Sequence, residues 1–267
     1  MTILSPTLPD LIDLSRQAGE ILRTNFGQNL QVDHKGVIDP VTEADHQSEA
    51  FLLSTIHQRY PTNRIIAEES GEVPGSADRV WYIDPLDGTV NYIHAVPIYS
   101  VSIAYAEAGE LCLGVVYDPM RDECFSAEYG TGSWLNSQPI HPSFTSNLDN
   151  ALLVTGFAYD IRTNPENNLD HYAHLSLHSQ GVRRLGSAAL DLCYVACGRF
   201  DGFWELHLKS WDVAAGALIA REAGAVVTNI AGEPDFMTAP QSVLTANPHL
   251  HPLMLRELLR KPDSPSP

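Results

Sequence analysis

The sequence predicts a mixed α/β protein with helices and sheets in separate layers. Three observations carry this reading. The first third has helical apolar spacing, the middle is a series of short strands set off by turn signals, and the remainder alternates strand with helix. At 267 residues the chain is one large domain or two intimate halves, taking roughly 150 residues per domain. We expect a single domain over residues 1–260, with halves of about 1–145 and 146–260, and a disordered Pro/Ser tail at 261–267.

The elements follow in order. Leu8, Leu11, Ile12, Ala18, Ile21 and Leu22 fall largely on one helical face. A Gly/Asp-rich stretch, Asp33 to Pro40, comes next. A second helix is expected from about Glu43 to Arg59, with Ala44, Phe51, Leu52 and Ile56 as its apolar face and Pro61 beyond its end. Asn63 to Ala67 reads as a short buried strand that delivers Glu68-Glu69. Val80 to Ile83 reads as another, stopping at Asp84-Pro85, and Gly88-Thr89 opens a short helix that stops before Pro97. Tyr99 to Ala106, Leu111 to Tyr117 and Glu123 to Tyr129 are separated by turn-rich segments, so they predict an antiparallel meander. Asn136-Ser137 adds one more turn. Strands are then expected at 151–157, 182–185, 202–206, 225–229 and 242–246, with helices at 169–178, 187–197, 212–223 and 248–260.

Charge narrows the function. Asp plus Glu number 33 against 16 Lys plus Arg, a net charge of −17. Such a chain repels phosphate backbones and anionic lipid, so direct nucleic-acid and membrane partners are not expected. It suits cations. No apolar run approaches the roughly 20 residues of a membrane span. The N-terminus lacks a basic start followed by an apolar core, and a cytoplasmic location is expected. Cys112, Cys124, Cys193 and Cys197 form no zinc spacing and are expected as reduced thiols.

The decisive segment is Val80-Trp-Tyr-Ile-Asp-Pro-Leu-Asp-Gly-Thr89. A buried strand that ends in two aspartates beside a helix start places carboxylates next to a potential anion site. That pairing requires a cation between them, and hard oxygen ligands select Mg²⁺, Mn²⁺ or Ca²⁺. Asp84 and Asp87 can also be read as plain turn residues. Glu68-Glu69 at one strand end and Asp212 at a helix start add further acids, although Asp212 alone would serve as an N-cap. Thr42-Glu-Ala-Asp45 fits a capping box, and taken locally that reading is favoured over a carboxylate aimed at the same cleft. A covalent aspartyl phosphatase of the haloacid dehalogenase type would need Asp-x-Asp. Here the spacing is Asp-Pro-Leu-Asp, one residue longer.

With these residues in view, the sequence resembles the inositol monophosphatase family of Mg²⁺-dependent, lithium-sensitive phosphatases. The likeness rests on Glu68-Glu69-Ser70, Asp84-Pro-Leu-Asp-Gly-Thr89 and Trp211-Asp-Val-Ala-Ala-Gly216, with Thr42-Glu-Ala-Asp45 and Gly186-Ser-Ala-Ala189 also matching. It spans roughly Leu8 to Leu259. The resemblance implies an αβαβα layered sandwich, a homodimer, and two or three Mg²⁺ per site, with Mn²⁺ as a substitute. It implies Glu68, Asp84 and the Leu86 carbonyl as ligands of a first metal, and Asp84, Asp87 and Asp212 as ligands of a second. Thr89 and Asp45 would orient the attacking water, and Glu69 would support the ligands from behind. Lys35 and Asp39 would lie in a loop over the site. Gly88, Thr89, Ala188, Glu205 and Asp212 would contact substrate.

The substrate implied is a small phosphorylated polyol, inositol monophosphate first. Related members hydrolyse fructose 1,6-bisphosphate, histidinol phosphate or 3′-phosphoadenosine 5′-phosphate. Glu205, on a strand, would accept hydrogen bonds from a polyol, and Arg183-Arg184 could either approach a second phosphate or be solvated. Some bacterial relatives also act as binding proteins in transcription complexes.

Overall fold

The computed structural model describes residues 5–28, 32–36 and 39–260, so the tail at 261–267 lies outside the described residues. Of His34, Lys35, Gly36 and Asp39 it describes the backbone alone. The chain starts with α1 (Leu8–Asn25), a hairpin of β1 (Val32–Gly36) and β2 (Asp39–Thr42), and α2 (Glu43–Arg59). The hairpin falls where the sequence showed a Gly/Asp-rich stretch, because alternation is too short there to register as strand.

β3 (Asn63–Ala67), β4 (Gly71–Val73) and β5 (Ser76–Asp87) come next, then α3 (Thr89–Ile93). The meander is β6 (Ser100–Glu107), β7 (Glu110–Asp118), β8 (Glu123–Glu128), β9 (Gly132–Leu135) and β10 (Gln138–Pro139). Together these strands form an eight-stranded sheet in the order β10-β9-β8-β7-β6-β5-β3-β4. All its pairs are antiparallel except β3 with β5. The expected meander is therefore present, and β5 is longer than its apolar core suggested. It runs past Asp84-Pro85 to Asp87 by way of a bulge opposite β6, which lets a proline sit inside a strand.

The second half contributes β11 (Leu152–Thr155), α4 (Leu169–Leu177), β12 (Gly181–Arg183), α5 (Ala188–Ala196), β13 (Gly202–Leu208), α6 (Ser210–Glu222), β14 (Val226–Thr228), β15 (Gln241–Ala246) and α7 (His251–Leu258). Its sheet has the order β12-β11-β13-β15-β14, with β12, β11 and β13 parallel and β14 and β15 antiparallel to their neighbours. The sequence located these strands but not their directions, which depend on how each crossover returns.

The layers then stack as helix, sheet, helix, sheet, helix. α1 and α2 cover one face of the large sheet, α5 and α6 lie between the two sheets, and α4 and α7 cover the far face of the small one. Three apolar clusters fill the gaps. The largest surrounds α5 and α6, and the others lie under α1/α2 and under α4/α7. The middle layer is thin because it is built from small residues. Ala188, Ala189, Ala214, Ala215, Ala217 and Ala220 are all buried there. At Gly216 the helices meet closely, since a Cβ there would lie 2.7 Å from the Leu192 Cβ. Among the described residues, no helix is long and apolar enough to cross a membrane. The four cysteines are free thiols.

This packing generates a first prediction. Gly216→Val overfills the α5–α6 seam and should lower stability by about 1–3 kcal/mol. The urea midpoint reports it, and an unchanged midpoint would show that the seam can open without cost.

Candidate active site

A cavity of about 250 Å³ opens where the two sheets meet the middle helices. Glu68, Asp84, Leu86, Asp87, Gly88, Thr89, Ala188, Glu205 and Asp212 all line it. Nine expected site residues are thus brought together from both halves of the chain. Asp45 and Glu69 do not line the cavity, and the side chains of Lys35 and Asp39 lie outside the described residues.

Sheet pairing sets the carboxylates side by side. β3 runs parallel to β5 with Ala67 opposite Ile83, and the Glu68 N–H donates to the Ile83 carbonyl at 3.2 Å. Glu68 therefore leaves its strand beside Asp84 on the neighbouring one. Glu49, which the sequence reading missed, fixes this turn. Its carboxylate accepts the Glu69 and Ser70 N–H groups at 2.9 and 2.8 Å. At the β5 bulge, Asp84 accepts the Leu86 N–H at 2.9 Å, and Ser48 of α2 donates to the Pro85 carbonyl at 3.0 Å.

Asp87 is fixed by α5. It accepts the Ser187 hydroxyl at 2.6 Å and the Ala189 N–H at 2.8 Å. The start of α5 is thus occupied by a carboxylate from the other half of the molecule, a favourable match to the positive helix end. Asp212 differs from the expectation by position. α6 begins at Ser210, so Asp212 lies within the first turn and reaches back to the Lys209 N–H at 2.7 Å. The Trp211 carbonyl accepts Ser102 of β6, opposite Asp84, which ties the helix start to the large sheet.

Asp45 forms the cap and also touches a residue of the cavity wall. Its Oδ2 accepts the Thr42 N–H at 2.9 Å, completing the capping box, while its Oδ1 accepts the Thr89 hydroxyl at 3.2 Å. The same hydroxyl lies 3.1 Å from the Leu86 carbonyl. A carboxylate has two oxygens, so capping did not exclude the cleft.

The electrostatics are those of crowded like charges. Burial, with Glu68, Asp87 and Asp212 close by, holds Asp84 well above the usual carboxylate range. Burial likewise raises Asp212, with Glu68 and Asp87 adding to it. Asp87 is raised to about 6 by burial, against the pull of Ser187 and the α5 amides. Asp45 is raised by burial against its hydrogen bonds. Glu205 is pushed up to about 8 by burial, which Arg184 partly offsets. Its carboxylate lies over Gly156, where any Cβ would come within 2.2 Å of it. The oxygen donors Glu68, Asp84, Asp87, Asp212 and the Leu86 carbonyl fit hard divalent cations, which would relieve this repulsion.

The rim holds residues that sequence reasoning did not reach. Phe157 and Tyr159 line it from the loop after β11, and His207 and Lys209 from the end of β13. His207 takes a left-handed backbone (φ 58°) at a bulge in β13, and its ring Nε2 pairs with the Glu166 carbonyl at 3.0 Å. The loop is pinned below by a buried network. Asn168 joins Trp204 Nε1 at 2.7 Å and the Gly156 carbonyl at 2.8 Å. Local sequence carried no signal for these contacts, because each joins residues from 12 to 41 positions apart.

Comparison with known proteins gives the chain's relatives. A family model described as the inositol monophosphatase family matches residues 4–262. The chain is 44% identical over 249 residues to an inositol-1-monophosphatase of Synechocystis, covering 92% of this chain and 86% of that one. It is 41% identical over 273 residues to the Nus factor SuhB of Pseudomonas aeruginosa, covering 95% of this chain and all of the relative (100%). Among solved structures, an inositol monophosphatase from Anabaena superposes with a TM-score of 0.85 at 42% identity, over 96% of this chain and 97% of that one.

The raised pKa of Glu205 yields a prediction for the protein in chelator. Its neutral form favours the fold, so its contribution is full below the ordinary value of 4.5 and is lost as pH rises through about 8. Glu205→Gln should therefore gain melting temperature relative to the parent as pH climbs across that window. A difference that stays flat with pH would contradict it.

Proposed function

The chain belongs to the inositol monophosphatase family, and from that premise we propose that it is a divalent-cation-dependent phosphatase acting on the phosphate monoester of a small polyol, inositol monophosphate first. The observation that carries this reading is the convergence of Glu68, Asp84, Asp87 and Asp212 on one cavity. With so many acids and a capped helix end taken by Asp87, the protein alone repels phosphate. Glu68, Asp84 and the Leu86 carbonyl would hold one Mg²⁺, and Asp84, Asp87 and Asp212 a second, with Mn²⁺ as a substitute. When bound, such ions lower the pKa of water and neutralise charge on the phosphoryl group.

The chain's own residues do the rest. The Thr89 hydroxyl, donating to Asp45 Oδ1, has lone pairs free to orient an attacking water opposite the leaving oxygen. The Asp45 carboxylate, raised by burial, would take up the proton at Oδ1. Gly88, Thr89 and Ala188 would border the phosphate, and Glu205 would accept a hydroxyl of the polyol. Because Asp84 and Asp212 come from different halves, residues 1–260 are read as one functional unit. A homodimer is part of the same reading.

Identity to the Nus factor SuhB supports a second reading, as a protein partner in transcription complexes. Asp87→Asn separates the two, since it should remove catalysis by several orders of magnitude and leave any such association intact.

The main test is phosphate release from inositol phosphates, fructose 1,6-bisphosphate, histidinol phosphate and 3′-phosphoadenosine 5′-phosphate. Activity should vanish in chelator and return with Mg²⁺. Release that persists after exhaustive chelation would sink the mechanism.

Asp45→Ala provides a further check. Loss of the cap alone would cost about 1 kcal/mol and little rate. Loss of water positioning as well should slow turnover by roughly 10² or more. A destabilised variant with full activity would reduce Asp45 to a cap.

A further inference from the structure

In the register of β13 with β15, Leu206 faces Ser242 and Leu208 faces Gln241, so His207 is the extra residue of a bulge. It takes φ 58° there. Glycine meets that conformation freely, while a residue with a Cβ adopts it uncommonly. A bulge re-aims the side chain that it carries. Here His207 lines the cavity, as does Glu205 on the same strand.

The His207 ring reaches a distant part of the chain. Its Nε2 lies 3.0 Å from the Glu166 carbonyl, and since a carbonyl only accepts, the ring donates there. Glu166 lies near the far end of the segment that joins β11 to α4, and Phe157, Ala158 and Tyr159 at its near end line the cavity. Between them the segment is tied to itself. The Ile161 N–H donates to the Ala158 carbonyl at 3.1 Å, and those of Thr163 and Asn164 to the Asp160 carbonyl at 2.8 and 2.9 Å. The Glu166 N–H donates to Asn164 Oδ1 at 2.9 Å. A segment tied in this way moves as one piece. Its foot is fixed, because the Asn168 amide donates to the Gly156 carbonyl at 2.8 Å and accepts Trp204 Nε1 at 2.7 Å. Phe157 also meets the Tyr172 ring of α4 edge-on, with centroids 5.6 Å apart. Beyond the foot, Tyr159, Asp160, Arg162, Thr163, Pro165 and Glu166 are exposed, and His207 ties this outer part to the strand that carries Glu205.

We propose that His207 is a positioning residue. It clasps the segment 157–168 to β13, so that Phe157 and Tyr159 stand as a fixed wall and the site selects a ring-shaped polyol phosphate over an open-chain one. This rests on the phosphatase reading above. A cyclic polyol has flat C–H faces that can lie on an aromatic wall, whereas an open chain has no such face and must itself be ordered to lie there. The wall helps most when it stands before the substrate arrives, because ordering a segment on binding costs affinity. Residues in sparsely populated backbone regions persist where their surroundings hold them, and they cluster at ligand sites. His207 is such a residue, and its ring contact gives the strained turn a use.

Inositol 1-phosphate and glycerol 2-phosphate carry the same phosphate monoester, one on a ring and the other on an open chain. Their kcat/KM values in Mg²⁺ and their calorimetric affinities in Ca²⁺ are compared for the parent, His207→Asn and His207→Gly, together with hydrogen exchange of the amides in 158–167. Asn tolerates the left-handed backbone but is too short to reach Glu166, and Gly removes the strain along with the ring. The parent should favour the ring by about tenfold or more in both measurements. Both variants should lose most of that preference through KM for the inositol ester, with glycerol 2-phosphate changed by less than about twofold. Their segment amides should exchange about tenfold faster. His207→Gly should show this with a melting temperature at or above the parent's, which a merely stabilising role for His207 would not give. An equal loss for both esters, a preference that survives either substitution, unchanged exchange, or a parent without preference would overturn the proposal. If no phosphate is released yet calorimetry shows a preference that both variants lose, the phosphatase reading fails and the clasp stands. If phosphate is released and the variants keep the parent's preference, the clasp fails and the phosphatase reading stands.

Discussion

Everything in this molecule is arranged around carboxylates that repel one another. Asp84 and Asp87 are buried with Asp212 and Glu68 beside them; desolvation holds all three aspartates above their ordinary range, and neighbouring acids add to it at Asp84 and Asp212. Four acids of one sign do not gather in a cavity by themselves. They are forced there by backbone and by hydrogen bonds to other elements, and a cation is the natural relief.

The fold supplies that force from several directions. The parallel pair β3–β5 sets Glu68 beside Asp84, and the β5 bulge sets Asp87 onto the start of α5. α6 brings Asp212 in from between the sheets. The small residues of the α5–α6 seam matter for this reason. A thicker middle layer would move Asp212 away from the large sheet, and the acids would no longer share one cavity. Core packing and site geometry are one constraint in this part of the protein.

Charge also divides the cavity. The floor is acidic and the rim carries Arg184 and Lys209. A chain with net charge −17 keeps most of its surface hostile to phosphate, and it becomes receptive only where cations or these rim groups stand.

The sequence by itself determined the order of elements, the meander, and the acids that could meet, because local periodicity and turn chemistry are properties of neighbouring residues. Asp84-Pro-Leu-Asp-Gly-Thr89 was legible for that reason. Only the tertiary structure decided which roles were compatible. It showed Asp45 capping α2 with one oxygen and meeting Thr89 with the other. It carried β5 through Pro85, placed Asp212 inside the first turn of α6, and brought in Glu49, Ser187 and Asn168 as supports. It also sent Arg183 outward and Arg184 inward. Adjacent residues leaving a strand end part according to the turn and the room around it, and that room is made by distant segments such as Gly186 against Asn91. Local sequence cannot express it, because the physical cause is contact between parts of the chain that only folding brings together.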